Sequence, residues 1–485
     1  MLAFSMLFSF TGCNKGNDES EETSIIEIWE DASSNAGGSG DGSGDGSGGT
    51  PQGTASDGKT SGGKNNSSAV KVDNSEGEKL QPIGNPYGSI PSDVKGSTVK
   101  FATWIAHKSN VETAQVIKNF ESKTGIKVEI VNVAESGYMT KLVSMIASNK
   151  APDVFVDNLE FPVSLKIAQP INNYINSKDS VWSKSHMKYG TINGKIYVVN
   201  GENVCWNFVN GFFFNKKVAE ENGIKTPYDY RDENNWNWDT MRQYMKDYTS
   251  MPGEHYGGYI AVDDLAKSAG TSLVKYNNGT FSSGIGDSNL TKAIQVYADI
   301  KKNGYMMDST HHVYLKNGGQ GLFPGSSWQL MRSAINWRDT GEDEVNFDID
   351  NFGFIEYPGP KGGKTYAPQC TRGYGICKGS SNPKGAGYFL RWFLDGANYD
   401  FDTVYKKPAV AKEMINRVKA VNNKNGYYLD PTQNCMTLVN EKLYSTTIGE
   451  LKEVDTAQVA AVLSQKSGVC NNAAKKANNL IKSSK

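Results

Sequence analysis

Thr98-Val-Lys-Phe-Ala-Thr-Trp104 is the stretch that decides the fold, together with the two segments that follow it. The segment from Glu112 to Lys123 repeats apolar residues with helical spacing, and Thr124-Gly-Ile-Lys-Val-Glu-Ile130 has the composition of a second strand. Gly125 follows the helical segment, where a helix commonly ends on a glycine. A strand–helix–strand unit of this length predicts two parallel strands joined by a crossover helix.

Three further segments extend this pattern along the chain. Ala151-Pro-Asp-Val-Phe-Val156 is a short apolar strand that follows a predicted amphipathic helix. Ile192-Asn-Gly-Lys-Ile-Tyr-Val-Val199 precedes Phe212-Phe-Phe-Asn-Lys216. Lys378-Gly-Ser-Ser-Asn-Pro-Lys384 leads into a strongly apolar helix. The chain therefore alternates strands and helices over roughly three hundred residues, which predicts an α/β architecture.

The same segments, taken in order, resemble the extracellular solute-binding proteins of family 1, the maltose-binding-like receptors of ABC importers. They are similar to the family's A-P-D-V strand, its G-K-x-Y-x-x-P and Y-N-K segments, and its K-x-S-x-N-P-x-x-A turn. Asn200 stands where the family usually has proline, and Phe214 where it usually has tyrosine. The resemblance spans nearly the whole chain after Ser97.

The resemblance implies an α/β, two-lobed, periplasmic-binding-protein-like type II fold with a hinged ligand cleft. Both lobes would be discontinuous, with chain crossings near 208 to 211, 366 to 370 and 425 to 435. The expected division is 97–208 and 370–430 for lobe 1, and 209–369 and 431–485 for lobe 2. About 390 residues outside the N-terminal spacer also favour two lobes over one small core.

The N-terminal segment predicts a lipoprotein signal. A short apolar run from Leu2 to Phe10 precedes Gly12-Cys13 and is too short to span a bilayer. We expect residues 1–12 to be a signal peptide and Cys13 to be lipidated, which would anchor the protein to the outer face of the bacterial cytoplasmic membrane. Residues 13–96 are rich in Gly, Ser and Asp and predict a linker without a folded core. The alternatives for the apolar run are a partial core strand or a cloning remnant.

Composition argues against several other functions. The net charge of −1 implies neither nucleic acid nor an acidic lipid surface as a partner. The chain has no Gly-x-Ser-x-Gly elbow, no His-Glu-x-x-His and no Walker loop, so we expect a binding protein rather than an enzyme. We expect no cofactor and no metal, because His311-His312 lacks partners at zinc spacing and the Asp-Gly repeats lack the closing glutamate of a calcium loop. A monomer is the expected state.

The cysteines leave two possibilities open. Cys370 and Cys377 are close enough in sequence to pair if a hairpin brings them together. The alternative, which we favour, is that the cysteines of the globular part are small buried apolar residues.

Aromatic residues beside Asp, Asn, Glu or Arg suit a carbohydrate, because a flat ring contacts the apolar face of a sugar and polar groups contact its hydroxyls. The resemblance implies that ligand contacts lie in loops after strands and at the crossings between lobes. The candidates on this basis are Trp104, Lys108, Asp157, Asn158, Glu160, Trp206, Asp263, Asp264, Trp328, Arg372 and Tyr374. For the aromatic residues the alternative is core packing, and for Lys108 it is a solvated loop.

Three functional hypotheses remain at this point. The first is a receptor that captures a mono- or oligosaccharide by hinge closure and delivers it to an ABC transporter permease. The second is the same fold with a polyamine, a peptide or a metal chelate as its ligand. The third is a surface glycan-binding protein without a transporter.

Overall fold

The computed structural model describes most of the chain after the N-terminal spacer. The described residues are 90–158, 160–204, 208–309, 312–331, 336–337, 345–346, 348–368, 372–405 and 407–483. The predicted signal peptide, the lipidation site Cys13 and nearly all of the predicted linker lie outside these residues.

The strands of the described part are short. In chain order they are β1 Thr98–Thr103, β2 Lys127–Asn132, β3 Val154–Asp157, β4 Ala168–Gln169, β5 Thr191–Ile192, β6 Lys195–Ile196, β7 Asn210–Asn215, β8 Tyr256–Gly258, β9 Val274–Asn277, β10 Thr280–Ser283, β11 Gln320–Ser326, β12 Asn336–Trp337, β13 Val345–Asn346, β14 Phe352–Ile355, β15 Ala367–Pro368, β16 Gly373–Cys377 and β17 Tyr427–Tyr428.

The helices alternate with these strands and then dominate the C-terminal part. In chain order they are α1 Ala114–Thr124, α2 Tyr138–Ala147, α3 Lys184–Tyr189, α4 Lys216–Glu221, α5 Pro227–Asp232, α6 Trp238–Thr249, α7 Val262–Ser268, α8 Ser288–Lys302, α9 His312–Asn317, α10 Pro383–Phe393, α11 Phe401–Val404, α12 Pro408–Asn425, α13 Thr432–Thr437, α14 Leu443–Lys452, α15 Val459–Gln465 and α16 Ser467–Ser483.

The first sheet has the order β2-β1-β3-β16-β4. Strands β1, β2 and β3 are parallel, and β16 runs antiparallel to β3 and β4. This confirms the parallel strand–helix–strand unit predicted from Thr98 to Ile130. Helix α1 buries Val116, Ile117 and Phe120, and it ends at Gly125, whose φ of 73° is left-handed and whose N–H donates to the carbonyl of Glu121.

The second sheet has the order β14-β7-β11-β8. Strand β7 runs antiparallel to both β11 and β14, and β11 is parallel to β8. Its centre is apolar because Phe212, Phe213 and Phe214 are all buried. Two sheets, each covered by helices, give the chain two lobes.

Helix α10 closes the first sheet on one side. Its N-cap Asn382 accepts a hydrogen bond from the N–H of Gly385, and the N–H of Asn382 donates to Asp153 at the start of the β3 region. The side chain of Phe389 is buried against Phe101 of β1, at 5.5 Å between ring centroids. Gly387 is required for this packing, since a Cβ there would lie 2.0 Å from the carbonyl oxygen of Tyr174. Trp392 of the same helix is 4% exposed.

The chain passes between the sheets at several points. At the first crossing the N–H of Ser327 donates to the carbonyl of Val209, and the N–H of Val209 donates to the hydroxyl of Ser327. The predicted third crossing near 425 to 435 differs from the structure. Helix α12 packs against β14 of the second sheet, although the sequence placed this segment in lobe 1. The chain therefore leaves the first sheet between α10 and α12, because the apolar face of α12 is buried by lobe 2.

A cluster of aromatic rings joins the first sheet to segments that the sequence assigns to lobe 2. Phe161, in the loop after β3, lies 5.7 Å from Tyr276 of the β9–β10 hairpin, and its carbonyl accepts a hydrogen bond of 3.1 Å from Asn434. No helix among the residues described combines the length and the apolarity needed to cross a membrane.

Candidate functional site

The candidate site forms at one edge of the first sheet. The parallel strands β1, β2 and β3 end there, at Thr103, Asn132 and Asp157, because the carboxyl ends of parallel strands meet at a common edge. Strand β16 begins at the same edge, since Gly373 is paired with Asp157. The loops that follow or precede these four strands therefore bring distant parts of the sequence together.

Arg372 is the centre of this edge and is 6% exposed. Its guanidinium carbon lies 4.9 Å from the centroid of the Trp104 ring. Its Nε donates a hydrogen bond of 3.2 Å to Oδ1 of Asn158, and Nη2 lies 4.0 Å from Oε1 of Glu135. We call Trp104, Glu135, Asp157, Asn158, Glu160 and Arg372 the Arg372 cluster. It contains five of the residues predicted from the sequence.

Tyr138 at the start of α2 supports the Trp104 ring. The two rings meet edge to face with centroids 5.0 Å apart. The hydroxyl of Tyr138 donates to the carbonyl of Ala102 at 2.9 Å and accepts from the N–H of Val156 at 3.0 Å. Tyr138 thus ties the ends of β1 and β3 together and fixes the orientation of Trp104.

Two carboxyl groups of the cluster have raised pKa values. Burial raises the pKa of Asp157 to about 7, although the N–H of Glu160, which donates to Oδ1 at 3.0 Å, acts in the opposite direction. Burial also raises the pKa of Glu160 to about 8, and the neighbouring carboxyls of Asp157 and Glu135 add to this increase. At neutral pH each of these two groups can therefore donate a hydrogen bond when it is protonated and accept hydrogen bonds when it is ionised.

Several buried polar atoms of the cluster have no hydrogen-bond partner within the described part of the chain. They are Nε1 of Trp104, Oδ2 of Asp157 and Oε2 of Glu160. A buried polar atom without a partner costs about 1–3 kcal/mol, so native structures rarely retain several at one place. A polar ligand that bonds to these atoms would offset that cost.

Two other predicted residues of lobe 1 have different surroundings. Lys108 is half-exposed and pairs with Glu121 of α1 at 3.2 Å, which directs it along the helix. Tyr374 is 1% exposed, and its ring packs 5.9 Å from Phe393 in the core. These contacts favour a surface role for Lys108 and a packing role for Tyr374, and their ligand contacts stay predictions.

Asp263 and Asp264 lie in the first turn of α7 rather than at a strand end, because β8 already ends at Gly258. Lys267 donates to both carboxylates, at 2.6 Å and 3.0 Å. The hydroxyl of Tyr444 donates to Asp263, and that of Tyr357 donates to Asp264. The pKa of Asp264 is raised by burial, whereas Lys267 helps to lower the pKa of Asp263 against the effect of burial. This network holds α7 to the C-terminal helices, and a ligand role for the pair remains a prediction.

Trp328 lies in the short 3₁₀-helix Ser327–Leu330, directly after β11, and is partly buried. Its neighbour Ser327 bonds to Val209 at the first crossing, so Trp328 is next to the connection between lobes. This position is compatible with the predicted stacking role.

Trp206 lies outside the described residues, as do Cys205, Cys370 and Thr371. Cys377, Cys435 and Cys470 are buried free thiols.

The sequence analysis missed Glu135 and Tyr138. Both follow β2, a parallel strand of the first sheet that ends at the same edge as β1 and β3. The rule that parallel strands end at a common edge would have pointed to Glu135. Among the described residues, no group of His, Cys, Asp and Glu side chains could hold a metal ion.

The two helix-covered sheets, with a polar cluster at one edge of the first sheet, agree with the architecture of a solute-binding receptor. The family model described as a bacterial extracellular solute-binding protein matches residues 115–400, which is more than half of the chain. The chain therefore belongs to the bacterial extracellular solute-binding protein family. This confirms the resemblance found in the sequence, and the family is one of binding proteins rather than enzymes. Membership also implies a location outside the cytoplasm.

A characterised relative and several solved structures are similar to this chain. The diacetylchitobiose-binding protein DasA of Streptomyces coelicolor is 24% identical over 326 residues, which cover 64% of this chain and 67% of the relative. The galacto-N-biose-/lacto-N-biose I-binding protein of Bifidobacterium longum is 14% identical, with a TM-score of 0.55 over 79% of this chain and 96% of that one.

A second solved structure is also similar to this chain. The GacH receptor of Streptomyces glaucescens is 18% identical, with a TM-score of 0.52 over 80% of this chain and 98% of that one. At these identities the structures establish the fold alone. They confirm the predicted α/β, two-lobed fold.

Proposed function

We propose that this protein is an extracytoplasmic receptor that captures a carbohydrate between its two lobes and delivers it to an ABC importer. The single observation that carries the carbohydrate assignment is the Arg372 cluster. It combines an indole ring, a guanidinium and carboxyl groups at one sheet edge, and this combination suits the apolar face and the hydroxyl rim of a sugar.

The unpartnered atoms of the cluster support this proposal. Nε1 of Trp104 is a donor, and the carboxyl oxygens of Asp157 and Glu160 can accept from hydroxyl groups. A sugar offers donors and acceptors at short intervals around its ring and could therefore bond to all three. Arg372 covers one face of the Trp104 ring, so a sugar would stack on the opposite face or on its exposed edge.

The named ligands of similar proteins agree with a carbohydrate. DasA binds diacetylchitobiose, the Bifidobacterium longum protein was solved with lacto-N-biose, and GacH was solved with acarbose. These ligands differ from one another, so they support the class of ligand and not a particular sugar. The mono- or oligosaccharide that this chain takes would be selected by its own loop residues.

Hinge closure would bring the two lobes onto the ligand. Asp157 ends β3, and the loop after it carries Glu160 and also Phe161, which contacts Tyr276 and Asn434. A ligand that orders this loop would therefore favour the arrangement in which the lobes touch. Trp328 beside the first crossing would contribute from lobe 2.

Delivery to the importer and membrane anchoring belong to the same proposal. The closed receptor would dock on a permease pair, and a lipid on Cys13 would hold it at the outer face of the membrane. The linker of some eighty residues would give the receptor a typical reach of roughly 50 Å.

Substitution Cys13→Ala should release the protein from membranes and abolish labelling by a palmitate analogue. Retention of both lipid label and membrane association would contradict the anchor.

The experiment that tests the ligand class is thermal unfolding of the full chain with a panel of oligosaccharides, polyamines and short peptides. A ligand present at a hundred times its Kd adds about 2.7 kcal/mol to the free energy of unfolding. A shift with one glycan series supports the proposal. A shift with a polyamine or a peptide alone would replace it with the same fold serving another solute.

A further inference from the structure

The Arg372 cluster contains more acidic than basic groups. The guanidinium of Arg372 is engaged by Asn158, by the Trp104 ring and, at longer range, by Glu135. Glu160 is near the carboxyl groups of Asp157 and Glu135. The ionised cluster would therefore carry an excess of negative charge in a partly buried place. Buried charges of this kind are usually paired or neutralised.

Glu160 is the group whose charge is least compensated. Its Oε2 is buried and has no hydrogen-bond partner among the described residues. The titratable groups that face it are acids and phenols: Asp157 from the same loop, Glu135 after β2, Tyr138 of α2 and Tyr189 of α3. Arg372 bonds to Asn158, two residues before Glu160, and lies by Glu135.

Resting on the proposed function, we infer that the preferred ligand is a carbohydrate that carries a protonated primary amine, and that this amine binds beside Glu160. An ammonium group supplies a positive charge and can donate a hydrogen bond to Oε2 of Glu160, which has no partner among the described residues. The Trp104 ring and the Arg372 side chain would then contact the sugar itself. A polyamine would satisfy the charge but would leave these groups without a ring or hydroxyls to contact.

A change in protonation accompanies this mode of binding. Near neutral pH Glu160 is largely protonated and Asp157 is about half protonated, because their pKa values are about 8 and about 7. An ammonium group favours the ionised form of a nearby carboxyl. At pH 6, where the free amine is already protonated, binding of an amino sugar therefore releases protons to the buffer, whereas a neutral sugar that bonds to the same oxygens leaves them protonated.

The test uses three disaccharides that share one backbone and differ at carbon 2: the glucosamine dimer with free amines, diacetylchitobiose and cellobiose. Calorimetric titration of the full chain, in two buffers of different ionisation enthalpy, gives both the Kd and the protons released. We expect the free amine to bind about 10- to 100-fold more tightly than either analogue. We also expect proton release for the amine alone.

Variants separate the local effect from a general loss of charge. Glu160→Gln should abolish the preference for the amine and the proton release. Glu129→Gln is the matched control, since Glu129 is an exposed residue of β2 outside the cluster. If Glu160→Gln unfolds, Glu135→Gln should reduce the preference in part. A Glu160→Gln protein that keeps the full preference would overturn the assignment of the amine to Glu160.

The failures of the two proposals are distinguishable. Equal or tighter binding of diacetylchitobiose or cellobiose, or of any neutral glycan over amino sugars, overturns the amine inference and leaves the carbohydrate receptor standing. Binding of spermidine without any sugar overturns both proposals. Absence of binding across amino sugars and neutral glycans alike also overturns both.

Discussion

The guanidinium of Arg372 lies 4.9 Å from the centroid of the Trp104 ring, which joins the end of β1 to the start of β16. These residues are far apart in sequence and meet only because β3 stands between their strands. The contact stacks a planar cation on an aromatic face while the edge of the guanidinium bonds to Asn158. These contacts within the chain thus hold the guanidinium and the Trp104 ring in a defined arrangement.

Arg372→Lys should weaken ligand binding even though it keeps the positive charge. A lysine ammonium cannot stack as a plane on Trp104 while it bonds to Asn158 at the same time. We expect a loss of about 10- to 100-fold in affinity, as measured by calorimetric titration with the ligand found in the panel. Arg391→Lys, which alters a guanidinium that pairs with Asp179 and Asp395 elsewhere in lobe 1, is the control. Equal affinity of Arg372→Lys and wild type would remove Arg372 from the site.

Trp104→Ala should reduce affinity more than Trp104→Phe, because phenylalanine keeps an aromatic face but loses Nε1. Since Trp104 also packs on Tyr138, the alanine variant should lose stability as well, by about 2–4 kcal/mol. Both variants are compared by titration at a temperature where each is folded. Trp236→Phe serves as the control, because Trp236 bonds to Glu356 in lobe 2. Affinities of the two Trp104 variants that match wild type would contradict a ligand contact here.

Glu160→Gln should change the dependence of stability on pH. The pKa of Glu160 is raised from 4.5 to about 8 in the folded state. Between these values the folded protein binds more protons than the unfolded chain, so stability falls as pH rises. The variant lacks this ionisable group. Its free energy of unfolding should therefore exceed that of wild type at pH 8 but not at pH 4.

The expected gain of Glu160→Gln in the free energy of unfolding is modest because the Glu160 side chain is partly exposed. One pKa unit corresponds to about 1.4 kcal/mol, and solvent screening reduces the total, so we expect about 1–2 kcal/mol at alkaline pH. Denaturant melts of both proteins at each pH measure the difference. A gain that is the same at pH 4 and pH 8 would show that ionisation of Glu160 is not its cause.

Lys267→Met tests the acidic pair of lobe 2. Removal of the lysine leaves Asp263 and Asp264 without their shared cation, so we expect a loss of about 2–4 kcal/mol in the free energy of unfolding. Affinity of the folded protein for its ligand should stay nearly unchanged, because Tyr444 and Tyr357 still bond to the two carboxylates. Lost affinity with intact stability would instead place the pair in the ligand site.

Much of the first sheet could be predicted from local sequence. The alternation of strands with an amphipathic helix is sufficient for β1, α1 and β2, and Gly125 marks the end of the helix. The turn before α10 was also readable, because Asn382 and Pro383 are residues that begin helices. Asp157, Asn158 and Glu160 could be proposed for the site because they follow a predicted strand.

The remaining features depend on contacts that a linear sequence does not display. The raised pKa values of Asp157 and Glu160 arise from burial, which requires the folded loop. The family resemblance implied that the segment of α12 belongs to lobe 1, whereas the helix packs on β14 of the second sheet. Similarly, the sequence does not show that Lys267 donates hydrogen bonds to both Asp263 and Asp264, which holds the two carboxylates in a network within the chain.

The most direct test of the carbohydrate receptor is the dissociation constant of the full chain, measured by calorimetric titration across oligosaccharides, a polyamine and short peptides. The account predicts saturable, stoichiometric binding of one glycan series, and a loss of that binding in Trp104→Ala at a temperature where the variant is folded. Binding of a polyamine or a peptide without any glycan, or glycan binding that Trp104→Ala and Arg372→Lys leave unchanged, would contradict it.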